Sequence, residues 1–436
     1  MEESSHFNKS ENDSENSSNS SLLSSNQVVL VLFILFLSAF VINFSLSLLS
    51  VYYIIILDMP DMISGILISL LCCQCLFMFI PGYLSQMIGM KGLYLLTHFV
   101  VLFLLLLIIF IKTTIFQVIT ITFLYSMYPA IAYACAPADL IEKTDFNNRS
   151  LAFSISNAAY SLSTMLLGLE YEIIVYFKDT STYTFNVIFI SCACSTIIGI
   201  ILIALFYENA QVIQRTKPKI SLSQLLNFKR FWKTFTSLMI CGIPIGMSFA
   251  PGYILPIYMD RELGSSKGYG IVIACYFFLL SFFSVALNLV VNYFSLFNTL
   301  IVGSFIVALG PLVFLIGNNF YVISVYIFIV SAGASILGAR HTEYIGASSI
   351  KGLEIYYYGL LSPSYSFSSL CIGIVAGFTL DEFCPEDGER RCWMMWLIIS
   401  LGAAVPAILL LVFRPWIDVR RDLEEHDPYV FGDHDN

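Results

Sequence analysis

The sequence predicts an all-α membrane protein, with twelve transmembrane helices in two pseudo-symmetric six-helix bundles. Three observations predict it: scarcity of charge, the length of the apolar runs, and the placement of lysine and arginine. Of the 436 residues, 58% are hydrophobic and 12% charged, with a mean hydropathy of +0.82. A soluble domain carries about 25% charged residues to cover its surface, so most of this surface must face an apolar medium. Runs such as 28–57 and 93–111 contain no Lys, Arg, Asp or Glu, and about 20 apolar residues cross the hydrocarbon of a bilayer. Strands of a membrane barrel would alternate polar and apolar residues, and these runs do not. Helices are then the way to satisfy the backbone in lipid.

Apolar runs between polar breaks give spans at 28–57, 62–81, 93–111, 115–140, 150–172, 183–207, 234–258, 269–291, 297–316, 320–339, 357–380 and 393–413. With an even count both tails share one side, together with loops 2–3, 4–5, 6–7, 8–9 and 10–11. That side holds 15 of the 21 Lys and Arg; the other six are Lys112, Lys178, Arg261, Lys267, Arg390 and Arg391. The richer side is the cytoplasmic one, which puts both termini inside. Residues 208–233 form the longest internal polar segment and divide the spans six and six. The expected organisation is a tail at 1–27, a first bundle at 28–207, a linker at 208–233, a second bundle at 234–413 and an acidic tail at 414–436. Two pseudo-symmetric halves joined by a basic linker are the plan of many secondary transporters. The tract 228–233, FKRFWK, could lie in the membrane interface as an amphipathic helix.

The net charge of −9 sits mainly in the tails and one loop, and no basic stripe tracks phosphates, which argues against a nucleic-acid partner. Most of the eleven cysteines lie in apolar runs, where cysteine behaves as a small hydrophobe; Cys72 and Cys75 make a C-x-x-C only formally. Neither a metal nor a cofactor is called for. Cys384 and Cys392 instead share a polar loop on the predicted external side and are disulfide candidates. Residues 1–26, rich in Ser and Asn with five acids, read as a disordered tail rather than a secretory signal. The sequons at Asn12, Asn16 and Asn19 matter only if that tail is external.

After the second span the chain reads Gly82-Tyr-Leu-Ser-Gln-Met-Ile-Gly-Met-Lys91. This resembles the loop 2–3 motif of the major facilitator superfamily, Gly-x-Leu-x-Asp-x-x-Gly-x-Arg/Lys. Gly82, Leu84, Gly89 and Lys91 match it; Gln86 stands where the family has an Asp that takes part in a charge relay, so that relay is in question. The entry to the fifth span, Arg149 to Leu162, is similar to the family's Arg followed by a face of small residues, here Ala152, Ser156, Ala159 and Ser163. The antiporter Gly-Pro pair is absent from this span. Arg340-His-Thr-Glu-Tyr344, Lys351-Gly-Leu-Glu354, Cys384-Pro-Glu386 and Met395-Trp-Leu-Ile398 resemble a branch of the same superfamily. Together the resemblances cover residues 28–416.

The resemblance implies a cavity lined chiefly by helices 1, 4, 7 and 10, with helices 2, 5, 8 and 11 beside them. Candidate lining residues there are Asn43, Tyr128, Asn157, Tyr160, Tyr253, Tyr276 and Asn288. Charge inside a membrane is costly and usually functional, and little is present. His98 is the intramembrane ionisable group that stands out, Asp139, Glu170 and Glu172 lie near span ends, and His98, Arg149, Arg340 and Glu343 are gate or coupling candidates. Arg340 and Glu343 share a helical face. No arginine lies in the fourth span, where many proton-coupled members carry one, so the solute is expected to be neutral or weakly charged. Pro129, Pro244, Pro251 and Pro256 are candidate bends. The expected partners are a small-molecule solute and the bilayer, and the expected state is a monomer. A non-transporting receptor or scaffold on the same fold is the alternative. An intramembrane enzyme would need converging acid, base or nucleophile groups, and neither H-E-x-x-H nor G-x-S-x-G occurs.

Overall fold

In the computed structural model the described residues are 26–111, 113–144, 149–208, 229–264, 268–291, 294–349, 353–386 and 389–417. The sequons, residues 209–228 of the linker and residues 418–436 lie outside them. The described secondary structure is helical, without a strand. The principal helices are α1 (Asn26–Ile42), α2 (Asp61–Ser69), α3 (Ile80–Phe110), α4 (Thr114–Lys143), α5 (Arg149–Lys178) and α6 (Thr182–Phe206). The second half supplies α7 (Lys229–Ser248), α8 (Tyr269–Ala286), α9 (Leu296–Leu309), α10 (Phe320–Ser348), α11 (Leu361–Phe383) and α12 (Cys392–Ile417).

Every apolar run falls in helix, and nine stretches among the described residues are long and apolar enough to cross a membrane. The other three runs belong to α1, α2 and α7, and each has a physical reason. After Ile42, α1 breaks into Phe44–Ser47, Leu49–Val51 and a wide π-turn at Tyr52–Ile56. α2 tightens into a 3₁₀ segment, Leu70–Phe77. α7 opens on Lys229, Arg230 and Lys233 inside the stretch read as linker, then breaks at Phe249 and Ile254 ahead of Pro251 and Pro256. Proline lacks the amide hydrogen a continuous helix needs, so the breaks in α7 are written in the chain.

The helices are apolar on two sides. On α3, Val101, Leu105 and Ile108 are buried while Phe99, Phe103 and Phe110 stand out at 56%, 60% and 76% exposure. In water such a surface would aggregate; in lipid it meets its own kind. Small residues let helices of the two halves approach. A Cβ on Gly65 of α2 would lie 2.7 Å from the Gly377 Cα of α11, and one on Gly168 of α5 would lie 2.9 Å from the Gly270 carbonyl oxygen of α8. With no hydrophobic effect between helices in lipid, close contact and hydrogen bonds hold them together.

Candidate functional site

A cavity of about 90 Å³ opens between the halves, walled by α1, α4 and α5 on one side and α7, α8, α10 and α11 on the other. Each trapped water needs about 10–15 Å³ of such space, and sites for drug-sized ligands begin near 300 Å³. The cavity therefore fits a handful of waters or one small organic molecule. No residue lining it among those described carries a charge. Tyr133 of α4, Tyr160 of α5 and Tyr365 of α11 meet there: the Tyr133 and Tyr160 hydroxyls are 2.7 Å apart, and the Tyr133 and Tyr365 rings have centroids 4.7 Å apart. Asn157, one turn before Tyr160, donates from Nδ2 to Ser284 Oγ of α8 at 2.6 Å.

Both ends of the cavity are crossed by contacts between the halves. At the end bearing the 384–392 loop, Arg261 makes a two-pronged ion pair with Asp61 at 2.7 and 3.0 Å and donates to the Cys384 carbonyl at 2.7 Å. Such bidentate pairing is the strong form of the arginine–carboxylate bond. Cys384 and Cys392 are joined by a disulfide. Beside them, Glu172 of α5 accepts from the backbone amides of Gly268 and Gly270 at 3.0 Å each, capping α8, where unpaired N–H groups favour an anion. The broken stretches of α1 and α7 also touch here, Ser50 donating to the Gly252 carbonyl at 3.2 Å. The Tyr269 hydroxyl reaches both breaks, lying 2.6 Å from the Ser47 carbonyl oxygen and 3.3 Å from those of Pro251 and Gly252.

At the opposite end, Gln86 donates to the Tyr356 hydroxyl at 2.9 Å, and the Tyr356 ring lies against Gly82 so closely that a Cβ there would collide with it. Gly89 adopts φ 71°, a left-handed turn that suits glycine; Leu84 and Lys91 are half-buried beside it. Arg340 pairs with Glu343 on α10, and Ser150 of α5 donates to Glu343 at 3.4 Å; Arg149 opens α5 next to it.

The candidate lining residues fall into different places. Asn157 and Tyr160 line the cavity, and Asn43, at the break in α1, donates to the Tyr160 carbonyl at 3.3 Å. Tyr253 is buried with its hydroxyl unpartnered among the described residues, and Tyr276 donates to the Ser248 carbonyl at 2.8 Å. Tyr128 packs edge-on to His98 inside the first half, where His98 lies 2.8 Å from the Tyr94 carbonyl and 3.4 Å from Ser38 Oγ. The side chain of Asn288 lies outside the described residues. Asp139 pairs with Lys143 at 2.8 Å and accepts from the Tyr207 hydroxyl at 2.8 Å, away from the cavity.

Tyr133, Tyr365, Phe249 and Phe277 line the cavity without having been singled out by the sequence. His341, part of the Arg340–Tyr344 motif, is not legible as a cavity neighbour because α10 runs on to Ser348, past the apolar run that ends at 339. It is fully buried, edge-on to Tyr365 with centroids 6.1 Å apart, and its Nδ1 has no partner among the described residues. The signal that could have found this wall is the serine-rich stretch Ser362-Pro-Ser-Tyr-Ser-Phe-Ser-Ser369, too polar for a face turned to lipid.

No protein-family model and no curated protein sequence matches the chain. Solved structures do. A POT family transporter in complex with 5-aminolevulinic acid superposes with a TM-score of 0.69 at 12% identity, over 89% of this chain and 96% of that one. The human organic anion transporter MFSD10 (TETRAN) gives 0.68 at 12% identity, over 88% and 98%. The nucleoside transporter NupG, in a mutant form, gives 0.64 at 13% identity, over 89% and 99%. Identities this low speak for the fold alone, and the agreement runs nearly the whole length of each chain. The protein is an integral, multi-pass membrane protein with the fold of the major facilitator superfamily transporters.

Proposed function

We propose that the chain is a secondary transporter that carries a small, neutral or weakly charged organic solute across a membrane by alternating access. In this reading the chain crosses the bilayer twelve times, as bundles at 28–207 and 234–413, with both termini on the cytoplasmic side. The observation that carries it is the uncharged cavity between the halves, with contacts between those halves at each of its ends. A solute held there reaches one side only when one set of contacts parts. The similar structures differ in cargo, so they support transport without naming what is carried. An organic anion is a poor match for this cavity, because a desolvated charge needs a partner and the described walls supply none.

Uptake of a broad solute panel into proteoliposomes, with and without a pH gradient, tests the proposal. The expected result is saturable uptake of at least one uncharged organic solute, with strongly anionic ones excluded. No flux across the panel would favour the receptor reading, to which the neutral Gln86 in the loop 2–3 motif gives some support.

A further inference from the structure

The cavity's polar atoms say more about the solute than its lack of charge does. The Ser284 hydroxyl spends its hydrogen on the Leu280 carbonyl at 2.8 Å, so its oxygen can only accept from Asn157. That fixes the Asn157 amide with Nδ2 toward Ser284 and leaves Oδ1 as an acceptor with no donor among the described residues. The Tyr133 and Tyr160 hydroxyls share one hydrogen bond, so one of their two hydrogens is left over. The Tyr365 hydroxyl bonds to no described residue. The unspent groups are thus the Asn157 Oδ1 acceptor with the second Asn157 N–H beside it, the Ser156 and Tyr365 hydroxyls, and one hydrogen of the Tyr133–Tyr160 pair. These side chains are partly buried, and a ligand that displaces water from them does so at least cost when it supplies the same hydrogen bonds. Beside them Tyr133 and Tyr365 pack on each other with planes 36° apart, and with Phe249 and Phe277 they make an aromatic wall that the edge or outer face of a ring could meet.

We propose that the cavity takes an uncharged, flat aromatic solute bearing an adjacent hydrogen-bond donor and acceptor, of the class of a primary aromatic carboxamide. Asn157 Oδ1 accepts from its N–H, a tyrosine hydroxyl donates to its carbonyl, and the aromatic wall meets its ring. At about 90 Å³ the space admits one ring rather than several. This rests on the cavity being the solute site of the proposed transporter, and it goes beyond that reading by naming the solute's chemistry.

Three probes of similar size separate the features: benzamide, benzoate (the same ring with a charge) and cyclohexanecarboxamide (the same amide without aromaticity). Each is added at about 10 mM to the purified full-length chain, and thermal unfolding is followed. Benzamide is expected to raise Tm by about 1–2 °C, and the other two to leave it unchanged. Asn157→Ala and Tyr365→Ala should each abolish the benzamide shift, measured against the variant's own baseline. Tyr365→Phe, which keeps the ring, should retain part of it and guards against a misfolded variant. No shift with benzamide, an equal shift with benzoate or cyclohexanecarboxamide, or a full shift in Asn157→Ala overturns the proposal. Binding is read here without flux. A chain that binds benzamide but moves nothing overturns transport and keeps this inference, and one that moves other solutes while ignoring benzamide does the reverse.

Discussion

Asp139 and Lys143 show how a charged pair survives inside an apolar chain. Their side chains are 1% and 7% exposed, and the Lys143 ammonium also sits 4.0 Å above the Tyr207 ring. Each member covers the other's desolvation, and the tyrosine adds a hydrogen bond and a cation–π contact. Removing one partner leaves a buried charge, so Lys143→Met is predicted to cost about 3–5 kcal/mol of stability. The double variant Asp139→Asn, Lys143→Met should recover most of that loss in thermal unfolding. If the single variant is no less stable than the parent, the pair is not buried as described. The sequence made Asp139 visible, because an acid near an apolar span is conspicuous. The cavity was harder to read. Asn157 and Tyr160 emerged as uncharged polar or aromatic residues on the fifth span, which the family resemblance sets beside the cavity. Tyr133 and Tyr365 did not, because among 25 tyrosines and 37 phenylalanines a ring on a cavity wall looks like any ring facing lipid or core.

At the scale of elements, the breaks in α1 and α7 and the tyrosine that spans them matter most. Broken helices leave carbonyls without their usual donors, and Tyr269 offers a single hydrogen to three of them. That hydroxyl ties the two discontinuous helices together at the end closed by Asp61, Arg261 and Glu172. Tyr269→Phe is predicted to weaken the closure by about 1 kcal/mol, roughly a fivefold shift toward the state open at that end. Labelling rates at a cysteine placed at Ser50 would report the shift. A rate unchanged from the Tyr269 parent would show that the tyrosine is packing only. Apolar length and proline placement made the helices and the α7 break legible. The α1 break was not, since Phe44-Ser-Leu-Ser47 carries neither Gly nor Pro; there Ser45 and Ser47 donate to the Ile42 and Asn43 carbonyls at 2.7 Å each, local bonds that compete with the helix's own.

At the scale of the molecule, the run of apolar helices implied a membrane before any motif was weighed. The superposition on transporters at 12–13% identity adds that chains with few side chains in common share this fold. What the fold is for depends on whether the contacts at its two ends open in turn. Gln86→Cys with Tyr356→Cys places two thiols where a hydrogen bond now crosses the halves. Flux of the solute panel in proteoliposomes is then measured before cross-linking, after it, and after reduction, beside the unsubstituted chain treated identically. Alternating access predicts flux of at least one uncharged solute that the cross-link abolishes and reduction restores. Flux that continues undiminished through the locked protein, or no flux in the unlocked one, would contradict it.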